Sequence, residues 1–204
     1  MYLSHTDSKI EIFKSIRLIM SIAFISIIDN LTFRIDYIYL HTGLGEISLT
    51  ESLQLVALII TFINFIIIGK NNQHLKHATF LIAGFFTVLF IRELDFLFDY
   101  IVHGFWIYPA LFVTIIACLY AYQAKKGIIL EMAYLLQKPY MKLVLIGVAL
   151  LLFFTRLYGM ANFWSQVMTE HYLRDVKTIS EEGTELLCYS LIALGAVNLK
   201  KTLK

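Results

Sequence analysis

Residues 52–69 read SLQLVALIITFINFIIIG, and within them the stretch 55–69 has only Thr61 and Asn64 as polar side chains. An uncharged apolar run of this length is what a helix needs to cross the hydrocarbon core of a bilayer, because about 20 residues at 1.5 Å each span its ~30 Å. Working outward, five further stretches come close to the same description: 17–33, 78–98, 105–124, 141–162 and 183–199. The expected fold is therefore an all-α polytopic membrane bundle with about six transmembrane helices, whose first partner is the lipid bilayer. The segment 127–137 (GIILEMAYLLQ) is too short to span and carries Glu131, so it reads as an amphipathic piece lying at the interface.

Composition agrees. The chain is 59% hydrophobic and 16% charged, with a mean hydropathy of +0.73, whereas soluble domains carry roughly 25% charged residues. A net charge of +2 with no Lys/Arg run gives no footing for nucleic acid. Two prolines and no Ser/Gly/Pro-rich linker point to a single integral membrane domain over 1–204. Lys9, Lys14 and Arg17 before the apolar run 18–28 also fit a signal peptide, but no small-residue cleavage site follows, so an uncleaved first helix is expected. Cys118 and Cys188 fall at different expected depths, too far apart for a disulfide, and read as free thiols.

Orientation follows from Lys and Arg near the helix ends. One set of loops and termini carries twelve: Lys9, Lys14, Arg17, Lys70, Lys76, Lys125, Lys126, Lys138, Lys142, Lys200, Lys201 and Lys204. The other carries three: Arg34, Arg174 and Lys177. The richer side, with both termini, is expected in the cytoplasm, which places Trp106 and Trp164 at the outer interface.

Ionisable side chains inside a bilayer are expensive, by at least ~2.5–3.5 kcal/mol each, and mark function or tight pairing. Here they collect toward the expected outer face. Asp29 lies late in the first helix, Arg92, Glu93 and Asp95 late in the third, with Asp99 and His103 following, and Arg156 late in the fifth. Glu51 with Gln54 opens the second helix; Glu181, Glu182 and Glu185 open the sixth. Arg92, Asp95 and Asp99 follow an i, i+3, i+7 pattern and His103 lies four residues beyond, so they are expected to share one helix face, as are Glu182 with Glu185 and Glu51 with Gln54. A faint repeat accompanies them: Glu51 and Glu182 each begin E-x-x-[Q/E]-L, and Asp36-Tyr37-Ile38 matches Asp99-Tyr100-Ile101, as three helical hairpins would.

The combination of Glu51-Ser52-Leu53-Gln54, Arg92-Glu93-Leu94-Asp95 and Glu182-Gly183-Thr184-Glu185-Leu186 resembles a loose group of uncharacterised bacterial polytopic inner-membrane proteins. The resemblance covers those three short motifs. It implies that they belong to one site in a bacterial inner membrane, and it implies no reaction.

Each sharp reading has a bland one beside it. Arg92 and Arg156 could hold an anionic group, or could pair with carboxylates and lock the bundle. His41, His103 and His171 could ligate a metal with nearby acids, or could sit in the interface; no H-E-x-x-H or H-x-x-x-H occurs, so metal and cofactor are left unassigned. The missing H-x-x-x-H and seventh helix also separate the chain from alkaline-ceramidase-like membrane hydrolases. Ser52, Ser165 and Ser190 lack a nucleophile context, and His74, Lys76 and His77 read as a solvated turn.

The expected function is an outward-facing polar site that binds or processes a lipid or small polar ligand. In that site Glu93, Asp95 and Glu182 are candidate acid/base groups, because carboxylates in unequal environments divide proton work. Glu51, Gln54, Arg92, Asp99, His103, Arg156 and Glu185 are candidate ligand contacts, the arginines suiting a phosphate. A proton- or ion-coupled transporter is the alternative, opposed by the uncharged inner half and the lack of broken helices. A non-catalytic accessory protein is the third.

Overall fold

A computed structural model describes residues 5–40 and 48–203, and among them the chain is helical throughout, with no strand. His41 and Lys204, which entered the sequence argument, lie outside the described residues. The helices are α1 (His5–Arg34), α2 (Leu49–Asn71), α3 (Lys76–Glu93), α4 (Asp95–Asp99), α5 (Ile107–Gln123), α6 (Gly127–Leu136), α7 (Pro139–Ala149), α8 (Thr155–Tyr158), α9 (Ala161–Met168) and α10 (Arg174–Thr202).

Three helical stretches are long and apolar enough to cross a membrane: Leu49–Asn71, Gln73–Glu93 and Pro139–Tyr158. A fourth qualifies if α5 and α6, bent by 106° at their junction, are counted together. The expected spans 17–33 and 183–199 fall inside α1 and α10, which are outside that set. For α10 the physical reason is its place in the bundle. It packs against α2 on one side and α7 on another, with α1 also touching it, so Leu186, Tyr189, Ile192, Ala196 and Leu199 are buried by protein. A helix shielded by neighbours tolerates polar residues that a lipid-facing helix does not.

The packing order runs α7, α10, α2, α3, α5. Contacts fix the directions. Gln54 meets Glu182 near the start of α2 and α10, and Asn72 donates to the Leu203 carbonyl at their other end (3.1 Å), so the two helices run parallel. The short turn Gln73–Leu75 reverses the chain into α3, where Phe86 stacks on Phe65 of α2 at 5.8 Å. Gly84 meets Ala117, so α3 and α5 cross closely: a Cβ on Gly84 would fall 2.6 Å from that of Ala117. Gly195 does the same for α10 against α7, where a Cβ would meet Val144 at 2.7 Å. Small residues at such crossings let backbones approach and gain dispersion contact. Asp29 meets Ser190 while Tyr37 meets Asp175, so α1 is antiparallel to α10.

The bundle thus has two ends. One gathers the start of α2, the end of α3, α8 and the first half of α10; the other gathers the end of α2, the start of α3, α6 and the end of α10. Those of the basic residues grouped together by sequence that are described belong to the second end. Between the ends the surface is apolar: Ile59, Phe62, Ile63, Phe112, Ile116, Leu119, Ile146 and Phe153 are exposed, while Thr61, Asn64 and Thr79 are buried. That is the reverse of the distribution in a water-soluble domain.

Two local features differ from expectation. His77 is not a solvated turn: its ring nitrogen lies 2.8 Å from Glu131 Oε1. The His77 and Ala78 backbone N–H groups donate to Glu131 Oε2 at 3.0 and 2.9 Å. Glu131 of α6 therefore caps α3, where a carboxylate meets unpaired donors and the positive helix end. The start of α2 is capped twice. The Ser48 side chain accepts from the Glu51 N–H (3.1 Å), and buried Asp36 accepts from the Leu49 and Thr50 N–H groups (2.9 and 2.8 Å) and the Thr50 hydroxyl (2.6 Å). Asp36 sits in a π-helical turn, Ile35–Tyr39, that ends α1.

Candidate functional site

At the first end of the bundle a set of polar side chains meets between α2, α3, α8 and α10. From the last turn of α3, Arg92 Nη2 donates to Glu93 Oε1 at 2.7 Å. The same oxygen accepts the Tyr189 hydroxyl of α10 at 2.6 Å. Gln54 Nε2, from the second turn of α2, donates to the Glu182 carboxylate (3.1 Å) and to its backbone carbonyl (3.3 Å). The Gln54 Oε1 has no hydrogen-bond partner among the described residues although the side chain is fully buried.

Arg156 enters from α8, directly after a π-helical turn at Leu150–Phe154. Such turns insert one residue into the helical ladder and recur at functional sites. The Thr155 hydroxyl bonds the Leu151 carbonyl (2.6 Å) and lies 3.4 Å from Glu185 Oε1. Arg156 reaches Glu181 and Glu185, each at 3.8 Å, and is 49% exposed. Glu181 is also held by Lys177 one turn earlier in α10. Arg156 is therefore matched by two acids of α10, Glu181 and Glu185.

Nine of the ten expected residues divide into two groups. Gln54, Arg92, Glu93, Arg156, Glu182 and Glu185 come together. Asp95, Asp99 and His103 do not join them, because the shared-face argument needs an unbroken helix. At Leu94 the backbone leaves the helical region (φ −98°, ψ 16°), α3 stops at Glu93, and the register is lost. Asp95 is exposed and makes no side-chain hydrogen bond or ion pair among the described residues. Asp99 is exposed too. It accepts from the Gly104 N–H (2.9 Å) and lies 2.8 Å from the His103 ring nitrogen, and these two bonds hold its carboxyl below the usual aspartate range. That pair closes the turn after α4. Glu51 stands half-buried in the first turn of α2.

Compared with protein-family models, curated proteins and solved structures, the chain matches none. The resemblance carried by the three short motifs therefore brings no activity to it.

Tyr189 and Thr155 are the members that sequence reasoning missed, along with a role for Glu181. A signal was present: Lys177, Glu181, Glu185 and Tyr189 form an unbroken i, i+4 row along α10, which a helix places on one face. Pairing Glu182 with Glu185 at i, i+3 hid it. Chemically the set divides again. Glu93 Oε1 is shared by Arg92 and Tyr189. Arg156 has long, loose partners and a half-exposed side chain. Among the described residues no group of three metal-ligating side chains converges, and no residue here is assigned to a metal or cofactor.

Proposed function

We propose that this is a six-span membrane protein, basic end in the cytoplasm, whose outward-facing polar site binds an anionic group of a lipid or small polar ligand at Arg156. One observation carries the reading: the Arg156 side chain is half-exposed and its two carboxylate partners stand at 3.8 Å, near the limit of ion pairing. Five N–H donors in a planar fork are then only loosely engaged and suit a phosphate, which takes them two at a time. Glu182 and Glu185 are the carboxylates left to position a ligand or exchange a proton with it. The apolar belt between the ends supports placement in a bilayer.

Titration of the protein in maltoside detergent with dodecyl phosphate, followed by calorimetry, tests this. Arg156→Ala should weaken binding by about tenfold, the share of one charge-assisted contact, and Arg156→Lys should recover only part. Equal binding by the wild type and Arg156→Ala would sink the proposal.

The alternative accessory role has its own support. Arg92, Glu93 and Tyr189 form a set of short bonds that ties α3 to α10. Both roles fit one protein, with Arg92 holding the bundle and Arg156 facing the ligand.

A further inference from the structure

On the other side of α10 from the arginines lies a second polar feature. Asp29 of α1 is 4% exposed. Its Oδ1 accepts the Ser190 hydroxyl at 3.2 Å, and its Oδ2 has no hydrogen-bond partner among the described residues. A buried carboxylate oxygen with nothing to accept from is costly, and such groups call for an explanation beyond packing. The same residue lines an open groove of about 340 Å³ between α1, the end of α8 and α10.

The chemistry of that groove is one-sided. Asn30, Ser180, Thr184 and Tyr158 line it with Asp29, and none of its lining residues is Lys, Arg or His. The Ser180 and Thr184 hydroxyl protons are taken by carbonyls of their own helix, Val176 and Ser180. Their oxygens thus face a ligand as acceptors. Tyr158 adds an aromatic ring, stacked on Phe154 on one face (centroids 5.3 Å), and the remaining π-face can attract a cation. One acid, several acceptor oxygens and an aromatic ring with no competing base describe a receptor for a donor-rich cation.

We propose that this groove binds a primary ammonium group, with Asp29 as its counter-charge. An –NH₃⁺ has three donors and no acceptor, so it can pair with the Asp29 carboxylate at the groove wall and reach a hydroxyl oxygen at once. The ammonium can come from an ethanolamine phospholipid headgroup or from a free amine. The site is separate from Arg156 and stands whether or not that residue holds an anion.

Native mass spectrometry of the full chain in maltoside detergent tests it, offering phosphatidylethanolamine and phosphatidylglycerol with identical acyl chains. Both lipids carry the phosphate, so the comparison isolates the ammonium. The wild type should retain the ethanolamine lipid about tenfold more. Asp29→Asn keeps size and can keep the Ser190 bond, and should abolish the preference; Tyr158→Leu should reduce it severalfold. Displacement by free ethanolamine would support the site with the ammonium alone sufficient. Retained preference without displacement would support it with the lipid as the source. Equal retention of the two lipids by the wild type overturns the proposal, as does an undiminished preference in Asp29→Asn. Should Asp29→Asn not fold, an undiminished preference in folded Tyr158→Leu overturns it instead.

Discussion

Arg92 and Glu93 are neighbours in sequence, and their side chains meet at 2.7 Å with the Tyr189 hydroxyl completing the set. A charge pair shielded this way contributes less to stability than its geometry suggests, because both ions lost their hydration to form it; removing one partner is the damaging change. Arg92→Met should therefore destabilise the protein by about 3–5 kcal/mol, and the double change with Glu93→Gln should return much of that loss. Thermal melts in detergent with Tyr189 fluorescence excluded as a probe check this, and strictly additive losses would contradict it. Asp95→Asn is the control. It alters an exposed carboxylate without partners among the described residues, so its effect should stay within about 0.5 kcal/mol. The contrast also shows what sequence could not reveal at this scale. Four residues at helical spacing from Arg92 to His103 looked like one face, yet a single non-helical backbone pair of angles at Leu94 separates them.

The stretch 52–69 announced α2 because a spanning helix is an uninterrupted run, and the runs within 78–98, 105–124 and 141–162 announced α3, α5 and α7 for the same reason. What the runs do not carry is how one element holds another. Asp36 follows the first apolar run by a few residues and caps α2, while Glu131 marked α6 as amphipathic without indicating its target. Both are long-range contacts between a carboxylate and orphan backbone donors, and no periodicity encodes them. Glu131→Ala should remove the cap of α3 and the anchor of α6 together, at a loss of about 1–2 kcal/mol. Hydrogen exchange should accelerate at the His77 and Ala78 amides, whose N–H groups now donate to that carboxylate. Unchanged exchange there would show that α3 does not depend on α6.

Across the whole molecule, alternating helix directions sort the charges: Lys70, Lys76, Lys126, Lys138 and Lys200 belong to one end, Arg34, Arg174 and Lys177 to the other. The contacts that set those directions, from Gln54 with Glu182 at one end to Asn72 with Leu203 at the other, are independent of any count of basic residues. The two lines therefore test each other. Positive residues resist translocation, so the basic end should face the cytoplasm and the α9–α10 connection should face outward. The native thiols must first be removed as Cys118→Ala and Cys188→Ala, since Cys118 is exposed. On that background Lys126→Cys and Glu170→Cys place single thiols at exposed positions of opposite ends. An impermeant maleimide applied to intact cells should label position 170, and should reach position 126 only after permeabilisation. Labelling in the opposite sense would invert the orientation and move Arg156 to the cytoplasmic face. Labelling of both positions from one side would break the six-span reading itself, because the bundle could not then have its two ends on opposite sides of a bilayer.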